Sequence, residues 1–254
     1  YKSSLNVINK WGFAGNSGLI VATGPMLKDI RAQYHVPDTK MLHAPCAVNY
    51  ERFGITTSKE EARTALHLPQ NEKLIFYIGP LFPVKGVDVL FAAHSMLGTN
   101  EKIYFIGGTD SDIERFTQKW KDAGSPANVV IAGRKPHHEM PLWMRAADVL
   151  SIPNTAKDPA GSIESSPSKL IEYMASGRPI VASDVPAIRD VLSEECGYFA
   201  VPDDPASIAE NIKKIFADEP LAEQKALAAQ KAARELSWDS RAKKILRFME
   251  AKVK

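Results

Sequence analysis

The chain has 254 residues, 44% hydrophobic and 24% charged, which is enough apolar material for one large domain or two small ones with a proper core. A net charge of +2 and a pI of about 8.4 are too mild to argue for nucleic acid, and no Lys/Arg cluster adds to them. No apolar run approaches the ~20 residues of a membrane span, no signal-peptide core stands at the start, and Cys46 and Cys196 are too few for a disulfide framework and lack metal-ligand spacing, so a reducing cytoplasm is expected.

The sequence opens on Tyr1 rather than Met and reads as a chain entered in mid-protein. LNVINKWGF suggests a helix, and a Gly-Asn-Ser turn follows. GLIVA (18–22) is a strand candidate. Gly24-Pro25 leads into a helix, MLKDIRAQYH, which ends before Pro37, and KMLHAP (40–45) is a second strand. Residues 49–58 read as a connection. KEEARTALHL is then a short helix, with Ser58 as N-cap and Glu61 completing a capping box.

From Glu72 a regular alternation begins. KLIFYIG, KIYFIGG, NVVIAG, DVLSIP, PIVAS and GYFAV are short apolar, β-rich runs, and helical patterns separate them. Such a series reads as an α/β fold, a parallel doubly wound sheet. In such sheets ligands bind outside the carboxyl ends of the strands. The Lys85 loop, the Gly107-Gly108 turn, the Arg134 loop and the 153–166 loop should therefore converge on one crevice. The tail is helical: LAEQKALAAQKAARELS is Ala-rich, and SWDSRAKKILRFMEAK puts Trp238, Ile245, Leu246 and Met249 on or near one stripe.

The most informative stretch runs from residue 164 to 192, ESSPSKLIEYMASGRPIVASDVPAIRDVL. Ser166 is a good N-cap, Pro167 suits a first helical position, SKLIEYMAS is one short helix, and Gly177 ends it. A helix that starts at the mouth of a parallel sheet offers free N–H groups and positive dipole density, which suits phosphate. Glu164 and Glu172 bracket that helix start. Carboxylates beside a phosphate pocket accept hydrogen bonds from hydroxyls, and sugars are made of hydroxyls.

This segment resembles the donor-binding segment of the retaining GT-B glycosyltransferases of family 4, on the spacing Glu164-x7-Glu172 and the string YMASGRPIVASDVPAIRDVL. FYIGPLFPVKGVDVLFAAHSML resembles the first Rossmann unit of that family's C-terminal domain. ATGPMLKDIRAQYHVPDTKMLHAPCAVNYERF resembles the end of the N-terminal domain and the crossing from it, and SWDSRAKKILRFME the terminal helix that packs back on it. The resemblance divides the chain into 1–56, the tail of the N-terminal domain with the interdomain crossing; 57–236, a Rossmann-like nucleotide-sugar-binding domain; and 237–254, the terminal helix. Nearly all of the chain matches, but only the second half of a GT-B enzyme.

The resemblance implies transfer of a sugar from a nucleotide diphosphate sugar, UDP- or GDP-linked, with retention, to an unknown glycan, lipid or small-molecule hydroxyl. No metal and no other cofactor is implied. Glu164 would contact the transferred sugar and Glu172 the ribose. Lys85 would neutralise the pyrophosphate as charge builds on the leaving group. Ser168, Lys169 and Leu170 would offer backbone N–H groups to the phosphates, and Gly133 and Arg134 would hold the base. Against these stand plainer readings: a solvated loop carboxylate for Glu164, an i−3 pair with Lys169 for Glu172, and exposed surface cations for Lys85 and Arg134. Pro80 departs from the family, where many relatives carry an arginine that clamps phosphate; Lys169, Arg134 or Lys135 are candidates to replace it. Asp110-Ser111-Asp112 reads as a helix cap rather than a metal motif, and His137-His138 lacks a third ligand.

The rival reading is a nucleotide-binding lobe or partner subunit without transferase activity. A homodimer, or a partner supplying the missing domain, would cover the last helix. Localisation is expected to be cytoplasmic, compatible with peripheral attachment at the inner face of the membrane.

Overall fold

The computed structural model describes residue 12 and residues 15–164 and 168–253. The helix expected over LNVINKWGF, and the Ser166 cap with Pro167, lie outside the described residues.

In chain order the strands are β1 Leu19–Val21, β2 Met41–His43, β3 Lys73–Ile78, β4 Glu101–Ile106, β5 Val129–Gly133, β6 Val149–Ile152, β7 Ile180–Ser183 and β8 Tyr198–Ala200. The helices are α1 Gly24–Tyr34, α2 Tyr50–Phe53, α3 Lys59–Ala65, α4 Val87–Ala92, α5 Asp110–Asp122, α6 Met140–Ala146, α7 Pro159–Ser162, α8 Ser168–Ser176, α9 Pro186–Arg189, α10 Pro205–Ala217, α11 Glu219–Glu235 and α12 Trp238–Val253. Strands β3 to β8 form one parallel sheet in the order β5-β4-β3-β6-β7-β8. The expected doubly wound α/β sheet is what the chain forms.

Side chains alternate between the two faces of each strand, so both faces must be apolar when both are covered. Leu74, Phe76 and Ile78 of β3 point to one core, with Trp143, Ile171, Met174 and Ala229 from α6, α8 and α11. Ile75 and Tyr77 point to the other, with Leu90, Phe116 and Ile212 from α4, α5 and α10. The chain winds outward from β3 to β5, returns to β6 beside β3, and winds outward again. The strand order therefore reverses between β3 and β6, and a crevice opens at the carboxyl ends of such a pair.

The first segment makes its own two-stranded parallel sheet, Leu19 opposite Met41 and Val21 opposite His43. α12 packs along it. Arg241 Nε donates to the Pro45 carbonyl at 2.8 Å, the Lys252 ammonium to the Thr39 carbonyl, and Val48 forms a parallel bridge with Ser237. Trp238, Leu246 and Met249 of the expected stripe remain more than half exposed, at 54%, 56% and 54%.

Two expected loops contain helical turns. Asn49 caps α2 by accepting from the Arg52 N–H, and Asp158 caps α7 by accepting from the Ala160 N–H. Each turn is too short to show hydrophobic periodicity, so only the cap residue signals it.

Candidate active site

The floor of the crevice is backbone. β3, β4 and β5 are followed by or end in glycine, and the strand ends lie against one another. Gly79 N–H donates to the Ile106 carbonyl and Gly107 N–H to the Gly133 carbonyl, both at 2.8 Å. Gly107 has φ +116, and a Cβ there would lie 2.5 Å from the Gly79 oxygen. Only glycine permits that approach, and it leaves peptide groups facing the opening.

Lys85 ends a 3-10 turn, Pro83–Lys85, above β3. The turn is locked to the loop after β6. Gly86 takes φ +67, and a Cβ there would sit 1.6 Å from the Pro153 oxygen. Gly161 approaches the Val84 carbonyl from the other side, and Asn154 Nδ2 donates to the Gly161 carbonyl at 2.9 Å. The two loops at the strand reversal are thus one packed unit. Burial lowers the Lys85 ammonium from its ordinary value.

Glu164 follows α7 on the other loop. Its N–H donates to the Pro159 carbonyl at 2.9 Å and its side chain is exposed. Thr23 reaches this loop from the first segment, its hydroxyl donating to the Ile163 carbonyl at 2.9 Å. α8 begins just beyond. Ser168 is exposed at its start, whereas the Leu170 side chain is fully buried and leaves only its backbone to the site. Tyr173 Oη accepts from the Ile78 N–H at 2.8 Å, which ties this helix to the end of β3.

Glu172 is half-buried, one turn into α8. Burial pushes its carboxyl up, while the charges of Arg52 and Lys169 pull it down. No ion pair to Lys169 forms among the described residues; the Lys169 ammonium turns instead over the Tyr77 ring, 3.9 Å from its centroid. Arg52, from α2, donates to His137 Nδ1 and to the His137 carbonyl, each at 2.7 Å. It ties α2 to the loop after β5, and its charge acts on the Glu172 carboxyl. Gly133 ends β5 at φ +66, and Arg134 is exposed at the rim, with no hydrogen bond or ion pair on its guanidinium among the described residues. Lys135 sits over the Trp143 ring at 5.4 Å.

Lys85 and Glu164, on loops, and the start of α8 with Glu172 one turn inside it therefore lie on the same carboxyl side of the sheet. Arg134 stands apart at the edge. Two features were not read from sequence. Arg52 lies in a segment read as a plain connection, and the Lys169 side chain was read as a helix-spacing partner of Glu172 and a candidate phosphate clamp, not as a group stacked on Tyr77. The Asn49 cap was the available signal for the first; nothing local signals the second.

Asp110-Ser111-Asp112 is a cap. Thr109 N–H donates to Asp112 Oδ2 at 3.0 Å, and Asp112 N–H to Thr109 Oγ1 at 3.3 Å. The bond from the Thr109 N–H is the main cause of the lowered Asp112 carboxyl. Among the described residues no three His, Cys, Asp or Glu side chains gather as metal ligands. A cavity of about 640 Å³ opens at the amino ends of the strands, beside Arg145, Asp148 and Arg178. It lies at the opposite end of the sheet from Lys85 and Glu164, and its Lys59, Asp148 and Arg178 are committed to ion pairs, so the crevice is the better candidate.

Residues 58–235 match the sequence model of the family Glycosyl transferases group 1, and the chain belongs to that family. It is 26% identical over 239 residues to a D-inositol 3-phosphate glycosyltransferase of Corynebacterium diphtheriae, an alignment covering 89% of this chain and 54% of that one. The chain thus spans about half the length of the curated relatives it matches. Its fold is that of GT-B glycosyltransferase structures. Sucrose-phosphate synthase from Thermosynechococcus elongatus superposes with a TM-score of 0.83 at 22% identity, covering 98% of this chain and 61% of that one. Anabaena HepE in complex with UDP and glucose superposes at 0.75 with 17% identity, covering 92% and 62%. No helix among the described residues is long and apolar enough to cross a membrane.

Proposed function

We propose that this chain is the donor-binding half of a retaining, family 4 glycosyltransferase that takes a UDP- or GDP-linked sugar. In this reading residues 57–236 hold the donor, residues 1–56 are the tail of an acceptor-side domain with its crossing, and residues 237–254 pack back on that domain. The observation that supports it is the convergence of Lys85, Glu164, the α8 start and Glu172 on the crevice between β3 and β6. The UDP and glucose in the HepE structure make UDP the first donor base to test.

The chemistry follows from the groups present. The first N–H groups of α8 face the diphosphate without intrahelical partners, and the helix dipole favours negative charge there. Lys85 adds a full positive charge where the leaving group develops its own. Glu172 accepts from the two ribose hydroxyls, and Glu164 accepts from sugar hydroxyls and holds the anomeric carbon in place. The bond from that carbon to the diphosphate oxygen breaks, the acceptor oxygen bonds on the same face, and the acceptor proton passes to the departing phosphate oxygen. The acceptor and its contacts come from outside residues 57–236. No metal or further cofactor enters this scheme. A cytoplasmic setting, with peripheral membrane attachment where the acceptor is a lipid, suits two cysteines that remain unpaired.

The test is calorimetric titration of the chain with UDP, GDP and ADP, alongside Glu172→Ala. One diphosphate should bind best, and the variant should bind it at least about tenfold more weakly. Equal affinity in the variant, or no binding of any of the three, overturns the reading.

A further inference from the structure

Lys169 is placed unlike an ordinary surface lysine. Its stem is partly exposed, yet its Nζ is shielded from solvent and has no hydrogen-bond partner among the described residues. A lysine ammonium carries three donors, and leaving them unmade in a buried place is among the more unfavourable arrangements in a folded protein. What holds it there is the face of Tyr77, 3.9 Å away at the ring centroid. Tyr77 is itself fixed, its hydroxyl donating to the Pro80 carbonyl at 2.6 Å. The ammonium lies directly against the end of β3, since a Cβ on Gly79 would come within 3.3 Å of Nζ. It is therefore stored beneath the Gly79-Pro80 turn, on the same strand end as the turn that carries Lys85.

The charged and titratable groups around it are few. Lys85, from the turn after β3, repels it. Glu172, from its own helix, attracts it without an ion pair. Tyr77 of β3 and Tyr173 of α8 stay neutral because burial raises both phenols. Pro80, at the head of the turn, brings neither charge nor donor. Two cations beside a helix start, with no anion among the described residues paired to Lys169, make an incomplete charge arrangement. A diphosphate would complete it.

We infer that the Lys169 side chain is the second cation of the diphosphate subsite, stored on Tyr77 without ligand and drawn to the phosphates when the donor enters. This rests on the donor-binding reading above and, of the three cations that could replace the arginine missing at Pro80, selects Lys169 on its stored position over Tyr77. Burial, and then the charge of Lys85, lower the Lys169 ammonium to about 7 in the ligand-free chain, against the pull of Glu172. At about one pH unit above that value most of it is neutral, so arrival of the diphosphate should restore its charge and draw in close to one proton. The stored state should also destabilise the ligand-free protein, because a lysine whose folded value lies below its unfolded one opposes folding at every pH below the ordinary lysine range.

The experiment uses the full chain and the diphosphate that binds best among UDP, GDP and ADP. Its binding is measured by calorimetry in two buffers of different ionisation enthalpy, for wild type and Lys169→Met, with the parent nucleoside as competitor control. Methionine keeps the stem on Tyr77 and removes the charge. The expected result is a loss of about tenfold or more in diphosphate affinity, no change for the nucleoside, proton uptake in wild type but not in the variant, and a higher melting temperature of the ligand-free variant. A variant that binds the diphosphate like wild type, or wild type that binds with no proton uptake near mildly alkaline pH, overturns the inference and leaves the donor site standing. Failure of wild type to bind any diphosphate removes the donor reading and this inference with it.

Discussion

Glu172 is the residue at which burial and function pull hardest against each other. Burial raises its carboxyl above the ordinary value, and Arg52 and Lys169 restrain the rise. A group of that kind favours its neutral form, yet a carboxylate is what accepts from two vicinal hydroxyls. Nucleotide affinity should therefore fall as the pH drops through the raised value, because protonation removes an acceptor. Glu172→Gln should bind about tenfold more weakly near neutral pH and lose that acid step, as read from affinity against pH. The sign for stability is opposite. A carboxyl whose folded value is raised opposes folding once the solution is basic enough to ionise it, so the ligand-free Gln variant should be at least as stable as wild type in thermal melts. This carboxylate was legible from its spacing to Glu164. Arg52, whose charge lowers it, was not, because that influence crosses the fold from a segment whose only local signal was the Asn49 cap.

Among the elements, α8 matches its sequence reading, Ser168–Ser176, since a Gly-Arg-Pro stop leaves little choice at its end. The strands were legible for the same kind of reason: apolar runs without alternation describe strands buried on both faces. The turn that carries Lys85 was legible as a loop but not as a rigid one. Its rigidity comes from Pro153 and Gly161, on a loop far along the chain, pressing against Gly86 and Val84. Gly86→Ala should therefore do more than impose strain at φ +67, because its methyl would overlap the Pro153 carbonyl. We expect a loss of about 2–4 kcal/mol in urea unfolding and a weakening of nucleotide binding as Lys85 is displaced. At α5 the prediction separates cap from metal motif. Asp112→Ala should lower stability by about 1 kcal/mol and leave diphosphate affinity unchanged whether or not magnesium is present. A magnesium-dependent loss of affinity in that variant would return Asp112 to the site.

At the scale of the whole molecule the two ends of the sheet do different work. The carboxyl ends carry glycines, loops and the shielded Lys169 ammonium; the amino ends carry an ionic network. Asp148, just before β6, accepts from Arg63 at 2.5 Å, from Lys59 at 2.9 Å and from the Leu74 N–H at 2.7 Å, with Arg178 at 3.9 Å. Arg63 is almost fully buried, and its remaining donors go to the carbonyls of Ala146, Gln70 and Glu72. This network ties α3 to β3 and β6 beneath the crevice, so it holds the strand pair whose far ends position Lys85 and Glu164. Burial alone would raise the Asp148 carboxyl, but the bonds from Lys59 and Leu74 and the charges of Arg63 and Lys59 outweigh it and hold it below its ordinary value. A folded value below the unfolded one means that the stabilisation is fully present above the ordinary carboxylate range and is lost as the pH falls through the folded value. Asp148→Asn should leave Arg63 buried without its counter-charge and lower stability by about 3–5 kcal/mol near neutral pH. Its acid unfolding should also be flatter than that of wild type, because the group that titrates is gone. Chemical denaturation followed down through the acid range measures both effects. Equal stability of the two proteins near neutral pH would mean that the network orients the strands without holding them together.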